Sequence, residues 1–228
     1  MAKPVIAIDG PAASGKGTLA RSLAEKLNFA HMDTGALYRA AAFELIDTGL
    51  SLNDEKDAVD AAQIMAKRVK NAASPSEILS NIHLREDRVS LQASKIAAYP
   101  RVRKILSKLQ CDFMQNPGNG PKGLYVGAIL DGRDIGTVIA PSAPLKLFVT
   151  ASVEVRAKRR LKELQSKGLA VTYEAVLKDM RERDTRDAER TTAPMKPADD
   201  AVIIDSSDLD AGQMLEKAMF LAKERLKL

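Results

Sequence analysis

The fold of this chain is decided by the stretch Gly10-Pro11-Ala12-Ala13-Ser14-Gly15-Lys16-Gly17-Thr18. An apolar, β-branched run precedes it and predicts a buried parallel strand, and leucines at helical spacing follow it. Strand, glycine-rich loop and helix, in this order, are the context of a phosphate-binding loop, whose glycines let backbone N–H groups turn inward. The stretch therefore predicts a site for a nucleoside triphosphate. Lys16 would reach the outer phosphates, and Thr18 would offer its hydroxyl to Mg²⁺.

One residue departs from the usual phosphate loop. Gly17 separates the lysine from Thr18, whereas the usual pattern places serine or threonine directly after the lysine. The sequence Gly-Lys-Gly-Thr resembles the loop of nucleoside monophosphate kinases, in which a second nucleotide must come close to the first. This resemblance favours a small phosphate acceptor.

Composition excludes several classes of protein. The chain has 228 residues, of which 45% are hydrophobic and 29% charged, which is ordinary for a globular protein with one main core. Its net charge of +5 fits nucleic acid or a pocket that holds several phosphates, and the arginines described below favour the pocket. The single Cys111 cannot form an internal disulfide. No apolar run approaches the ~20 residues of a membrane span, and no signal peptide is recognisable. We expect a cytoplasmic monomer that contacts neither membrane nor nucleic acid.

Strand-like and helix-like segments alternate along the chain. Apolar runs predict core strands near Val5, His31, Ile129, Leu147 and Ile203. Helical patterns lie between them, so we expect an α/β fold with an open parallel sheet of about five strands and helices on both faces, of the P-loop NTPase type. Residues 77–91 interrupt the rhythm with a loose alternation that predicts short strands.

Two clusters of functional side chains stand at the ends of predicted strands. Thr34, Tyr38 and Arg39 crowd the start of a helix that follows the second strand. The segment Asp131-Gly132-Arg133-Asp134 follows an apolar strand, where ligands of open parallel sheets bind. Asp131 would serve the water shell of Mg²⁺. The alternative for this second cluster is a polar turn capped by aspartates.

Two predicted helices near the C-terminal third carry many arginines. Arg156 and Arg160 lie four residues apart on one helix, and arginines alternate with acidic residues over 181–190 on the next. Two helices joined by a short turn, with arginines at the base of each arm, are suited to closing over polyphosphate. The alternative is an exposed helix laced by salt bridges.

Four motifs together carry a resemblance to a known family. They are the phosphate loop with Gly-Lys-Gly-Thr, residues 33–39 (Asp-Thr-Gly-Ala-Leu-Tyr-Arg), residues 131–137 (Asp-Gly-Arg-Asp-Ile-Gly-Thr) and the Arg183–Arg190 run. In this order, over nearly the whole chain, they resemble the bacterial cytidylate kinases. That family phosphorylates CMP and dCMP with ATP and Mg²⁺. The resemblance implies one kinase domain, 1–228, with a core of 1–74, 104–152 and 191–228, a small nucleotide-binding insertion at 75–103 and a helical lid at 153–190.

The resemblance also implies roles for individual residues. Lys16, Arg133, Arg183 and Arg190 would be catalytic, and Arg156 and Arg160 would join residues 10–18 at ATP. The residues around CMP would be Thr34, Tyr38, Arg39, Ser94, Arg103, Arg133, Asp134, Arg183, Asp187 and Arg190.

The chemistry of cytosine agrees with the implied base contacts. An aspartate and a serine accept from the N4 amine, and an arginine donates to N3 and O2, whereas uracil reverses the pattern and leaves buried groups unpaired. The nearest alternative is a kinase for UMP, AMP or a shikimate-like acceptor. From another class, a P-loop GTPase would carry an Asn-Lys-x-Asp motif, and a regulator that binds RNA would interleave aromatic and basic residues. The chain lacks that motif, and its aromatic content is only 4%.

Overall fold

The structure is a computed structural model that describes residues 3–72, 75–121 and 123–227. It divides into two compact units, Met1–Met32 with Met114–Leu228, and Asp33–Phe113. In chain order the elements are β1 (Val5–Asp9), α1 (Lys16–Leu27), β2 (Ala30–Asp33), α2 (Thr34–Asp47), α3 (Glu55–Asn71), α4 (Pro75–Leu79), a 3₁₀ turn (Ile82–Arg85), α5 (Asp87–Ile96), α6 (Pro100–Gln115), β3 (Asn119–Gly120), β4 (Gly123–Leu124), β5 (Ala128–Gly132), a π-helical turn (Ile135–Ile139), β6 (Leu145–Thr150), α7 (Val153–Ser166), α8 (Tyr173–Glu189), β7 (Val202–Asp205) and α9 (Ala211–Leu226).

The first unit is built on a five-stranded parallel sheet in the order β2-β5-β1-β6-β7. The central strand β1 pairs in parallel with β5 on one side and with β6 on the other. Because all residues of β5 and nearly all of β1 are buried, both strands are continuous apolar runs rather than alternating ones until they reach Asp9 and Asp131 near their carboxyl ends. The predicted α/β fold with an open parallel sheet of the P-loop NTPase type is confirmed.

Helices α1 and α9 cover one face of this sheet. Ile6 and Ile8 of β1 pack there with Leu19 and Leu23 of α1 and with Met214 of α9. The leucine spacing that predicted α1 from the sequence is therefore the spacing of its buried face. The parallel strands all end at the same edge of the sheet, and that edge carries the phosphate loop after β1 and residues 133–134 after β5.

Helices α7 and α8 pack against each other and have a small apolar core of their own. Ala157 and Leu164 of α7 meet Val176 and Met180 of α8. The side chains of Ser152 and Thr172 cap the two helices by accepting from the backbone N–H of Val155 and Ala175. These two helices make up most of the segment 153–190, which is predicted to be the lid. The assignment of a lid stays a prediction.

The second unit is helical. Helix α2 packs on α3 and on α5, and the buried side chains include Leu37, Leu45, Met65 and Ile96. The side chain of Asp33 accepts from the N–H of Ala36 and so caps α2. The predicted insertion, 75–103, lies within this unit, and its boundary at 74 adjoins Ala73 and Ser74, which are outside the described residues.

The prediction of short strands at residues 77–91 was wrong. The structure forms α4, a 3₁₀ turn and the start of α5 there. The side chain of Asn81 accepts from the N–H of His83 and stabilises the 3₁₀ turn, which replaces strand pairing. Val89, Ala93 and Ile96 lie on the buried face of α5, at helical spacing. This spacing was the signal that separated a helix from strands.

The helices of the described residues are short or carry many charges. None of them combines the length and the apolar character that crossing a bilayer requires.

Candidate active site

The phosphate loop is shaped by backbone conformations that few residues adopt. Gly10 has φ +146°, and a Cβ at this position would collide with the carbonyl oxygen of Val149 on β6. Gly15 has φ +90° and caps the N-terminus of α1, while Ala13 has φ +57°. The loop can therefore pass close to β6 and still turn into α1. This confirms strand, loop and helix as the sequence predicts them.

Two side chains, one within this loop and one from the C-terminal end of β7, donate to its carbonyl oxygens. Lys16 is buried, and its Nζ donates to the carbonyl of Pro11 at 3.2 Å. Ser206 Oγ donates to the carbonyl of Ser14 at 2.8 Å. These two hydrogen bonds involve carbonyl oxygens of the loop and not its amide N–H groups. The positive N-terminal end of α1 adjoins the loop. The loop thus combines donors, a helix terminus and a lysine, the set that binds phosphate.

A cavity of about 380 Å³ opens beside the phosphate loop. Arg159 of α7 lies in its wall and donates to the Oγ of Ser206 at 3.0 Å and to its carbonyl at 2.6 Å. The sequence analysis passed over Arg159 because it singled out the spacing of its neighbours. The cavity is lined by Ala13, Gly15, Thr18, Arg159, Glu163, Leu209, Asp210, Ala211 and Met214.

The two arginines predicted for ATP on α7 are both engaged in ion pairs. Arg156 is buried, donates to Asp184 Oδ2 at 2.7 Å and reaches the carbonyl of Ala12 in the phosphate loop at 3.5 Å. Arg160 pairs with Glu163 at 2.8 Å. Arg156 therefore links α7, α8 and the loop, while Arg160 lies against a wall residue of the cavity.

Three of the predicted catalytic arginines gather around one buried aspartate. Arg133 Nε donates to Asp187 Oδ2 at 3.0 Å. Burial pushes the pKa of Asp187 upward, but the positive charges of Arg133, Arg183 and Arg190 outweigh it and hold the pKa below its usual value. Asp187 is thus ionised at neutral pH and keeps the three guanidinium groups together.

Asp134 joins this cluster through Arg190. Arg190 Nη2 donates to Asp134 Oδ1 at 3.4 Å, and its Nε donates to the carbonyl of Ala193 at 2.6 Å. We call Arg133, Asp134, Arg183, Asp187 and Arg190 the arginine cluster. Residues 131–137 and Arg183–Arg190, which the sequence analysis treated as two separate motifs, meet in it.

The sequence analysis did not single out Asp9, which lies at the end of β1. Its buried carboxylate accepts from the N–H of Ile135 at 2.8 Å and of Gly136 at 2.7 Å. Burial raises the pKa of Asp9 to about 6, although these two hydrogen bonds act in the opposite direction. A charged residue closing an apolar strand beside a glycine loop was the available signal.

A magnesium ion fits the residues that the sequence predicts for it. Thr18 lies in the wall of the cavity, and a Cβ on its neighbour Gly17 would lie 3.8 Å from Asp131 Oδ1. The other oxygen of Asp131 is 2.7 Å from Nε2 of His31, a residue to which the sequence pattern assigned no role. Hydroxyl and carboxylate oxygens are hard ligands that suit Mg²⁺, which keeps several waters and binds substrate phosphates as well.

The remaining predicted residues belong to the second unit. Arg103 is buried, and its Cζ lies 5.7 Å from the centre of the Tyr38 ring, a cation–π distance. Arg39 Nη2 donates to Asp33 Oδ2 at 2.8 Å, one turn after Thr34 begins α2. Ser94 lies on α5, which packs on α2. This unit therefore brings Tyr38 and Arg103 together.

Comparison with known proteins identifies the family. A family model described as "Cytidylate kinase" matches residues 6–224. The chain is 51% identical to the cytidylate kinase of Paramagnetospirillum magneticum and 50% identical to that of Rhodospirillum rubrum, in both cases over 94% of this chain and 95% of the relative. A crystal structure of an uncharacterised protein from Eubacterium ventriosum covers 98% of the chain at a TM-score of 0.52 and 14% identity, a likeness of fold alone. By its motifs and by these matches, this chain belongs to the cytidylate kinase family.

Proposed function

We propose that this chain transfers the γ-phosphoryl group of ATP to CMP and to dCMP, giving ADP and the nucleoside diphosphate. Membership of the cytidylate kinase family makes the chain a nucleoside monophosphate kinase. The observation that carries the proposal is the arginine cluster, which lies in the same unit as the phosphate loop. The phosphate loop and the arginine cluster would each bind a phosphate group, as a reaction that aligns two phosphate groups requires.

The donor nucleotide would occupy the phosphate loop and the adjoining cavity. Amide N–H groups of residues 10–18 and Lys16 would hold its phosphates. The cavity of about 380 Å³ opens at Gly15 and Thr18, so a nucleoside whose phosphates lie on the loop would extend into it. Arg156 and Arg160 lie on the helix that borders this region, and we propose that they contact ATP.

Mg²⁺ is the cofactor that we propose, held by Thr18 and through water by Asp131. The ion would neutralise charge on the transferring phosphoryl group when bound. His31 lies 2.7 Å from Oδ2 of Asp131, and a Cβ on Gly17, the neighbour of Thr18, would lie 3.8 Å from Oδ1, so Asp131 and Thr18 belong to one region of the site. This proximity supports Thr18 and Asp131 as oxygen ligands for the proposed ion.

We propose that the residues of the family motifs contact CMP. Its phosphate would be bound by Arg133, Arg183 and Arg190. Asp187 would meet the sugar, and Arg39 would flank the nucleotide. Ser94, Arg103 and Asp134 would read the base, with Thr34 and Tyr38 beside the nucleotide. Arg103 and Tyr38 already lie in contact range, which supports a base platform in the second unit.

Phosphoryl transfer in this site needs alignment and charge more than covalent help. The acceptor phosphate is already anionic, so no side-chain base is required. The carboxylates of Asp187 and Asp134 hold arginines in place before substrate arrives, and phosphate oxygens would take over part of that pairing. Closure of 153–190, the proposed lid, would exclude water as a competing acceptor.

We further propose that the enzyme acts as a monomer in the cytoplasm, where ATP and CMP are found. The insertion for the acceptor nucleotide would be 75–103, within the helical unit. Both the phosphate loop and the arginine cluster are complete within one chain, which supports a monomeric enzyme.

A coupled assay of ADP release tests the proposal. The enzyme is supplied with ATP and Mg²⁺ and, separately, with CMP, dCMP, UMP, AMP or shikimate. We expect turnover with CMP and dCMP well above that with the others. Turnover with a different acceptor would keep a kinase and discard the base contacts, and silence with all five would reject the proposal.

The role of Asp134 at the base is tested by Asp134→Asn. Replacing the carboxylate removes a charged acceptor for the N4 amine, so we expect the preference for CMP over UMP to fall by about ten- to a hundredfold. Asp199→Asn, an exposed carboxylate outside the site, is the matched control. An unchanged preference in Asp134→Asn would remove Asp134 from the base site.

A further inference from the structure

The carboxylate of Asp9 connects two parts of the candidate site that are far apart in the sequence. Asp9 is the last residue of β1 and directly precedes Gly10, the first residue of the phosphate loop. Its two oxygens accept separately from the N–H of Ile135 and the N–H of Gly136. Those two N–H groups belong to the turn that directly follows Arg133 and Asp134. One side chain therefore joins the entry of the phosphate loop to the segment that carries part of the arginine cluster.

The turn that Asp9 holds is a single, irregular one. Residues 135–139 form a π-helical turn, closed by hydrogen bonds from Ile139 to Asp134 and from Ala140 to Ile135. Its cap residue, Asp134, makes no side-chain cap of its own. Such a short turn leaves its first N–H groups without helical partners, and Asp9 supplies both acceptors. The position of Asp134 thus depends on a residue 125 positions earlier in the chain.

Space around the contact is tight. A Cβ on Gly136 would lie 3.4 Å from Asp9 Oδ2 and 3.2 Å from Cδ of Lys146. The ammonium group of Lys146 is held elsewhere, by the carbonyl of Pro141 at 2.6 Å and by Asp200 at 2.8 Å. Lys146 therefore packs its stem against the turn and directs its charge to other partners. Asp9 is held in the described structure by its hydrogen bonds from the N–H groups of Ile135 and Gly136.

We propose that Asp9 is a positioning residue for phosphoryl transfer, whose carboxylate holds residues 133–136 in place relative to the phosphate loop. The proposal rests on the kinase function proposed above and deepens it. Both oxygens of Asp9 are engaged by the turn, so Asp9 would act through Arg133 and Asp134 rather than on a nucleotide. In-line transfer requires donor and acceptor phosphates to be aligned closely, so a link between the segments that hold them affects rate.

The burial of Asp9 makes this link sensitive to pH, and the charges around it act in opposite directions on its pKa. Asp134 lies near it from the turn and Lys16 from the start of α1, and Lys146 contributes its stem from β6. Burial raises the pKa of Asp9 to about 6, so the carboxyl group gains a proton in mildly acid solution. A protonated carboxyl group loses one of its two strong acceptors, and the turn is then held by one good hydrogen bond.

The effects of this proton on stability and on activity have opposite signs. Because the pKa is higher in the folded state than the ordinary value of 3.8, protonation stabilises the folded chain. That contribution is present below about pH 4 and is lost as the pH rises through 6. The positioning role requires the ionised form and is gained over the same range. A purely structural role would not produce opposite trends.

The test is the substitution Asp9→Asn, with steady-state kinetics from pH 5 to pH 8. Asparagine keeps the shape, but its amide group faces one of the two N–H donors and repels it. At pH 8 we expect kcat/KM for CMP to fall by about 10- to 100-fold, with little change in KM for ATP. The ratio of wild-type to variant activity should fall toward one as the pH drops through 6, because the Asp9 carboxyl group of the wild type is then protonated. Titration of the substrate phosphates affects both enzymes equally and cancels in this ratio.

Two further variants separate the outcomes. Gly136→Ala keeps the Asp9 carboxylate but places a Cβ 3.2 Å from Cδ of Lys146 and 3.4 Å from Asp9 Oδ2, so the turn or the Lys146 stem must shift by a few tenths of an ångström. We expect a lower kcat with CMP and a ratio to wild type that does not depend on pH. If Asp9→Asn does not fold, the Gly136→Ala variant tests the proposal in its place. Glu44→Gln removes a buried carboxylate that pairs with Arg68 in the helical unit, and should lower the melting temperature with unchanged kinetics.

The outcomes distinguish this proposal from the proposed function. Wild-type enzyme that phosphorylates none of the acceptors rejects the function itself. If the wild type is active, three results would reject the positioning role of Asp9. They are wild-type kinetics in a folded Asp9→Asn, a pH-independent ratio for that variant, and wild-type kinetics in Gly136→Ala. A loss with CMP that grows from pH 5 to pH 8 supports it.

Discussion

The phosphate loop and the arginine cluster lie in the same unit but are built by different physical means. The loop owes its shape to backbone angles and to close packing, as at Gly10, where β6 leaves no room for a Cβ. The cluster owes its shape to charge, since Asp187 holds Arg133 and its neighbours by ion pairing. A site built from backbone tolerates changes of pH and salt but not added atoms. A site built from ion pairs tolerates small changes of shape but not the loss of a charge.

The largest effect should come from adding a methyl group to the loop. In Gly10→Ala the new Cβ collides with the Val149 carbonyl, and φ +146° is unfavourable for alanine. We expect no detectable kinase activity and a loss of about 5 kcal/mol or more in the free energy of unfolding, measured by urea titration. Gly168→Ala also has positive φ but lies in open space, so it should cost about 1 kcal/mol. Equal losses in the two variants would show that packing against β6 does not shape the loop.

Removing one positive charge from the cluster should affect rate much more than stability. In Arg183→Ala we expect kcat to fall by about 10³-fold, as for other arginines that stabilise phosphoryl transfer, with the melting temperature nearly unchanged. Arg181→Ala is a matched control, since Arg181 lies on the same helix and pairs with exposed Glu154. Near-normal turnover in Arg183→Ala would contradict both the proposed catalytic role and the proposed lid.

A smaller effect, on stability and its pH dependence, should follow from Asp187→Asn. The three arginines keep the pKa of Asp187 low, so its ionised form stabilises the fold above the ordinary aspartate range, and this contribution is lost as the pH falls through the lowered pKa. We expect the variant to be about 3 kcal/mol less stable at pH 7, with a difference that shrinks in acid. Glu182→Gln, exposed on the same helix, should change little. A pH-independent difference would mean that charge does not hold the cluster together.

Features that depend on interactions between nearby residues were predicted from the sequence, and features that depend on distant residues were not. Helix α1 lies where leucines at helical spacing predict it, because that spacing is local and marks the buried face. Residues 77–91 were assigned to strands because a loose alternation outweighed the helical spacing of Val89 and Ile96. The partners of α5 in the helical unit decided that region.

The candidate site divides in the same way. The phosphate loop could be read from adjacent residues, and Asp131 from its place at the end of a predicted strand. The family motifs supplied the roles of Arg133, Arg183 and Arg190. Asp9 and Arg159 were missed because each acts through a partner distant in the sequence, Gly136 and Ser206. His31 seemed an ordinary strand residue until β2 joined the sheet beside β5 and brought it to Asp131.

The sequence by itself determined the parallel α/β fold, the phosphate loop and the family, because each depends on residues adjacent in the chain or on motifs in fixed order. Only the tertiary structure decided which carboxylate holds which arginine, since Asp187 and Arg133 are 54 residues apart. It likewise decided that Asp9 is buried, and burial is what raises its pKa to about 6. Desolvation and pairing are properties of the packed chain, so no local pattern could specify them.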